Sequence, residues 1–223
     1  DDISSKIDED DTFLFFFAGH GDGDTDDGEN LLLKPNTRRK FRTVEALRTK
    51  DLKKALNEVQ CAHQIMIFDC CRNLPDSGRA PEDNLLEEDF ARDIEARVTK
   101  GSGVKTGGAN CVLWACSPKQ RAYEIKEAGH GLLTYFLLEA IKGKAWKDGQ
   151  QDLTMDQVVD YLKIEVPRAA ARNRRGNTQE PRYTKHDSFG SVVLATRALS
   201  EAGPDKGAAV KSPKEIEEEK AAA

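Results

Sequence analysis

An aspartate and two cysteines, Asp69-Cys70-Cys71, directly follow the apolar run Ile65-Met66-Ile67-Phe68. A thiolate is a strong nucleophile, but at an ordinary pKa of about 8.5 only a few per cent of a thiol is ionised at neutral pH. A base must therefore stand beside whichever cysteine reacts. The chain offers one at His20, which ends a second apolar run inside Gly19-His20-Gly21. An imidazole there would take the thiol proton or hold the thiolate as an ion pair, then protonate a leaving amine. The chemistry of such a pair is nucleophilic catalysis by a thiolate.

The elements that must bring the two groups together are legible around them. The runs within residues 12–20 and over 65–68 are apolar without alternation, the pattern of central strands in a parallel sheet covered on both faces. In open α/β sheets the chemistry collects beyond the carboxyl ends of such strands, which is where His20 and the two cysteines fall. Neighbouring strand residues point to opposite faces, so at most one of Cys70 and Cys71 can face His20. Residues 31–33 and 192–195 read as short strands and 111–116 as a longer one. Apolar residues at 44, 47, 52, 55, 56 and 59 predict one helix over 43–59, with Thr49 or Asp51 as a cap. Residues 131–141 predict another. A third spans 154–166, capped by Thr154 and ended by Pro167. His63 lacks glycine neighbours and reads as a satisfied strand-edge histidine rather than a second base.

Composition narrows the class. At 223 residues, 38% hydrophobic and 33% charged, the chain suits a soluble α/β domain with a substantial core. No apolar stretch reaches 18 residues, and no basic-then-apolar leader opens the sequence, so neither a membrane nor secretion is predicted. Five cysteines, an odd number without a CxxC pair, argue for a reducing, cytoplasmic setting and against structural zinc or a disulfide framework. A net charge of −5 argues against a general nucleic-acid binder. The stretch after His20, with Asp22, Asp24 and Asp26 alternating, begins like a calcium loop. It then departs from one, with Asp27 where glycine is needed and Leu33 where a bidentate glutamate belongs. No cofactor is expected, and calcium is the single metal to be weighed.

The ordered motifs FFFAGHG, GENLLLKP, FDCCRN, WACSPKQRAYE, GHGLLTYFLLEAIKG and FGSVVLA resemble those of the caspase-like cysteine peptidases, closest to the metacaspase and prokaryotic caspase-like branch. The resemblance spans roughly residues 12–195. His20 and Cys71 lie 51 positions apart, close to the interval of caspases themselves. The animal Gln-Ala-Cys signature is replaced by Asp69-Cys70-Cys71, and metacaspase-like members carry Asp-x-Cys there.

The resemblance implies an α/β/α sandwich of the caspase-haemoglobinase type with a mostly parallel central sheet. Residues 12–75 would be the large-subunit-like part, 76–110 an exposed linker around a short helix at 85–98, and 111–199 the small-subunit-like part. Residues 1–11 and 200–223 would be flexible ends. The family's opening strand-helix-strand has no counterpart here, so an N-terminal segment or a partner chain is expected to complete the fold. Self-cleavage in the linker would fall at Arg79, Arg92, Arg97, Lys100 or Lys105. Asp-x-Cys spacing makes Cys71 the nucleophile and His20 its acid/base, with an oxyanion held by the backbone N–H groups of Gly21 and Cys71. At the places where animal caspases hold an aspartate with basic and amide groups, this chain has Asp69 and Glu124, with Gln120 at the rim. Those acids imply a peptide substrate with arginine, and next lysine, before the cut. The expected protein is thus a latent cysteine endopeptidase. The competing expectation is a catalytically silent caspase-like interaction module, or a protease domain governed within a larger signalling assembly.

Overall fold

The computed structural model describes residues 6–23, 30–70, 85–117, 120–125, 128–173, 178–186 and 192–197. In chain order the elements are β1 (Thr12–Gly19), β2 (Gly21–Gly23), β3 (Asn30–Leu32), α1 (Arg42–Glu45), β4 (Leu47–Arg48), α2 (Thr49–Glu58) and β5 (Cys61–Cys70). There follow α3 (Leu85–Thr99), β6 (Val104–Trp114), β7 (Glu124–Ile125), β8 (His130–Gly131), α4 (Leu132–Glu139), β9 (Asp152–Thr154), α5 (Met155–Asn173), β10 (Arg182–Lys185) and β11 (Val193–Thr196).

The main sheet has the order β1-β5-β6-β10. The first three strands run parallel and β10 is antiparallel to β6. Its two faces are covered by different helices, and the alternation along β5 shows how. Ile65 and Ile67 join the core of Leu132, Leu133 and Leu137 from α4 and Val158, Leu162 and Val166 from α5. Met66, Phe68 and Cys70 join the core of Leu52 and Leu56 from α2 and Phe90, Ile94 and Val98 from α3. A strand buried on both sides has no polar face to alternate with, which is why the run read as unbroken hydrophobicity. The layers are those of the expected α/β/α sandwich.

The tip of β5 is braced from below. The Phe68 ring stacks on Trp114 at 4.4 Å, meets Phe90 edge-on at 5.8 Å and leans on Phe15 at 5.5 Å. Aromatic pairs of this geometry add about 0.5–1.5 kcal/mol each beyond their buried area. The residue immediately after this cluster is Asp69, so the packing fixes where the acid sits.

Four expectations are corrected. The helix over 43–59 is broken, because Leu47 and Arg48 pair with Leu32 and Leu31 as strand β4. Val44, assigned to its apolar face, is 82% exposed. The strand expected at 111–116 begins at Val104, since the glycine-rich segment before it hydrogen-bonds along β5. The helix expected to stop at Pro167 runs through it to Asn173. Burial of Val166 and Ala170 on either side outweighs the roughly 3 kcal/mol that an interior proline costs.

The fourth concerns the segment 76–110, expected as an exposed linker. Its described part holds α3, with Phe90, Ala91, Ile94 and Val98 buried on the sheet. Arg97, one of the candidate cut positions, is buried and donates to Gln64 Oε1 at 2.8 Å, to the Leu56 carbonyl at 2.6 Å and to Asn57 Oδ1 at 3.3 Å. Gln64 in turn donates to the carbonyls of Val59 and Gly103. This polar knot ties the ends of α2 and α3 to the start of β5. Gly103, at φ +83°, leaves the space the knot occupies, since a β-carbon there would lie 2.7 Å from Gln64 Nε2. Arg92 and Lys100 are exposed, and Arg79 lies outside the described residues.

His63 accepts a hydrogen bond at Nδ1 from the Ala109 N–H, 3.3 Å away, so it is a satisfied histidine, on the inner strand β5 rather than at a sheet edge. Cys61, Cys70, Cys111 and Cys116 are buried, and none forms a disulfide among the described residues. The aspartate-rich stretch 24–29 lies outside the described residues, as does the tail from 198. Among the described residues no group of three or more His, Cys, Asp or Glu side chains is arranged to hold a metal ion, and no helix is long and apolar enough to cross a membrane.

Candidate active site

Register is the first determinant of the site. β1 and β5 pair in parallel from Thr12 opposite His63 to Gly19 opposite Cys70. The next residue along the first strand is His20, and along the second it is Cys71, which lies outside the described residues. His20 is exposed at the sheet edge, its carbonyl accepting a hydrogen bond from the Leu33 N–H at 2.9 Å. Gly21 opens β2 opposite Leu32, so β3 holds the main chain on the far side of the histidine.

Cys70 faces the side of the sheet covered by α2 and α3. It is 8% exposed and sits in the apolar cluster with Leu32, Leu52, Phe90 and Trp114. The Cys116 thiol approaches its carbonyl at 3.9 Å.

Asp69, on the opposite face of β5, is 5% exposed. Its Oδ2 accepts from the Thr134 backbone N–H at 3.0 Å and also from the Thr134 hydroxyl. Thr134 is the third residue of α4, whose cap Gly131 has no side chain to offer. The first four N–H groups of a helix lack partners inside it. Here Leu132 gives its N–H to the Tyr123 carbonyl at 2.7 Å and Thr134 gives its own to the aspartate. An acid from a distant strand thus caps α4, where the helix dipole favours negative charge.

Glu124 reaches the same place through the β7–β8 hairpin. It pairs with Gly131, while Ile125 pairs with His130. Gly131 lies against Asp69 so closely that a β-carbon there would come within 2.7 Å of the Asp69 carboxyl carbon. Burial pushes the Asp69 pKa up, the two Thr134 hydrogen bonds oppose it, Glu124 adds to the rise, and His130 opposes it. Glu124 itself is exposed. A buried acid on β5 and a solvated acid on β7 thus act on each other.

Gln120 is engaged elsewhere. Its Nε2 donates to Glu180 Oε2 at 3.2 Å, and its Oε1 accepts from the N–H groups of Ser117 and Glu180. It ties the chain after β6 to the approach to β10. Two residues that sequence reasoning did not mark as functional, Thr134 and Gly131, are the immediate neighbours of Asp69. Both lie in Gly129-His130-Gly131-Leu132-Leu133-Thr134, a motif noted for its resemblance but not for contact with β5.

Comparison with known proteins adds one deciding finding. The family described as caspase domain matches residues 1–192 of the 223. The chain belongs to the caspase domain family. That family consists of cysteine peptidases, hydrolases acting on protein substrates, and the mixed α/β architecture with its mostly parallel sheet agrees with membership. No curated protein matches the chain. Among solved structures it is similar to protein GSU0716 from Geobacter sulfurreducens, at 12% identity and a TM-score of 0.47, over 82% of this chain and 69% of that one.

Proposed function

We propose that this caspase-domain protein is an endopeptidase of metacaspase-like type that cuts after arginine, and less readily after lysine, with Cys71 as nucleophile and His20 as its acid/base. The observation that carries the reading is the parallel register of Gly19 with Cys70, because the two reacting residues are the next along two neighbouring strands. The burial of Cys70 among apolar side chains supports Cys71 as the reactive member of the pair. Position 71 is two on from Asp69, the Asp-x-Cys spacing of the metacaspase-like members that the chain resembles. In this reading the N–H groups of Gly21 and Cys71 receive the developing oxyanion.

Specificity rests on Asp69 with Glu124. A half-enclosed carboxylate pair favours a planar, always-charged guanidinium over an ammonium and repels an aspartate. Gln120, bonded to Glu180, would contribute to the substrate site from its rim. A segment or partner chain completing the sheet at β1 belongs to the same reading, supported by the exposure of Leu14 (52%) and Phe16 (43%) on that strand.

The test is a set of fluorogenic peptides ending in Arg, Lys or Asp, incubated with the full-length polypeptide with and without calcium. Cleavage in the order Arg, then Lys, with Asp untouched is the expected outcome. Preference for Asp would overturn the pocket assignment.

A further inference from the structure

Resting on the reading of Asp69 as the pocket acid, we infer that Thr134 is a positioning residue for specificity, holding the Asp69 carboxylate in one orientation and in its charged form. Both Thr134 donors converge on Oδ2, and among the described residues none reaches Oδ1. The carboxylate is thereby split into an oxygen fastened to α4 and an oxygen free to accept from a substrate guanidinium. Gly131 leaves the space beside the carboxyl group clear, since any side chain there would occupy it. The hold links specificity to the N-terminus of α4, a helix whose Leu132, Leu133 and Leu137 are buried in the core and cannot follow a moving side chain.

The charge of the pocket then depends on Thr134. Burial favours the protonated acid, and the two hydrogen bonds from Thr134 counter it. The other titratable groups acting on Asp69 are Glu124 on β7, which favours the protonated form, and His130 on β8, which favours the ionised one. The strand neighbours bring no titratable partner: β1 sets Ala18 opposite Asp69, and Ala115, just beyond β6, bonds the Phe68 carbonyl.

Thr134→Val keeps the shape and the backbone N–H and removes the hydroxyl, whereas Thr134→Ser restores it. Two readouts decide the matter: the Asp69 carboxyl titration followed by carbon NMR, and the pH profile of kcat/KM on an arginine-ending peptide. In Thr134→Val the Asp69 titration should move to higher pH and the acid limb of the profile should move with it. KM at neutral pH should rise about tenfold, the worth of one hydrogen bond to a charged group, with a smaller change in kcat. Thr134→Ser should return all three towards native. An unmoved titration in Thr134→Val, with native arginine cleavage intact, would overturn the inference alone. A native protein that ignores arginine peptides would overturn the pocket reading, and Thr134's part in specificity with it.

Discussion

Cys71→Ala should abolish peptide cleavage, a fall on the order of 10⁴-fold or more, because removing the nucleophile leaves only binding and oxyanion stabilisation to act on the substrate. Cys70→Ala, its neighbour, should retain activity. The contrast follows from β5, whose alternation sends Cys70 into the apolar core beside Leu52, Phe90 and Trp114. A sulfur buried there is screened from a substrate carbonyl. His20→Ala should lower turnover by about 10²–10⁴-fold, the usual contribution of a positioned acid/base. Steady-state assays on the arginine peptide with these three variants check the set. Activity lost in Cys70→Ala and kept in Cys71→Ala would reverse the assignment.

The second large effect is expected at Asp69, where activity and stability should part. Asp69→Asn preserves shape and an oxygen for Thr134 but removes the charge. Cleavage after arginine should fall about a hundredfold or more, since losing one partner of an enclosed charge pair costs on the order of 2–5 kcal/mol. Stability at neutral pH should hold or improve. The sign follows from linkage: burial raises the Asp69 pKa above its ordinary 3.8, so the folded state gains from the protonated form. That gain is complete below the unfolded value and is lost as pH rises through the folded one. Asparagine has no charge to bury, so the variant should be missing that pH dependence. Thermal unfolding of native protein and variant between pH 3 and 8, beside kcat/KM on the arginine peptide, measures both effects. A variant that is less stable at every pH would show the charge to be stabilising and the assigned sign to be wrong.

What could be read from the chain, and what could not, follows from the range of the interactions involved. β5 was legible because burial on both faces leaves an unbroken apolar run, whereas β1, expected as a second central strand, is the edge strand of the sheet and leaves Leu14 and Phe16 exposed on one face. Asp69 and Glu124 were legible as acids. Their means of support was not, because Asp69 and Thr134 are 65 positions apart and nothing local announces that a strand carboxylate will cap a helix. Distance along the chain also hid the break at Leu47, which forms only because β3 offers a partner. The segment before β6 misled for a related reason. Its glycines read as loop by composition, yet Gly103 is required where Arg97 and Gln64 crowd the backbone. Arg97 likewise read as a charge for solvent or a protease, and three hydrogen bonds from other elements make it a buried tie.

The central claim is that the tips of β1 and β5 bring an imidazole to a sulfur, and the rate of alkylation measures that encounter directly. Native protein treated with iodoacetamide across pH 5 to 10, with the labelled peptide identified by mass, should carry the label on Cys71. The reaction should proceed well below the pH of about 8.5 at which an unperturbed thiol ionises. In His20→Ala the same cysteine should revert to the ordinary thiol profile. Label appearing on Cys70 instead, or a Cys71 profile that His20→Ala leaves unchanged, would contradict the account.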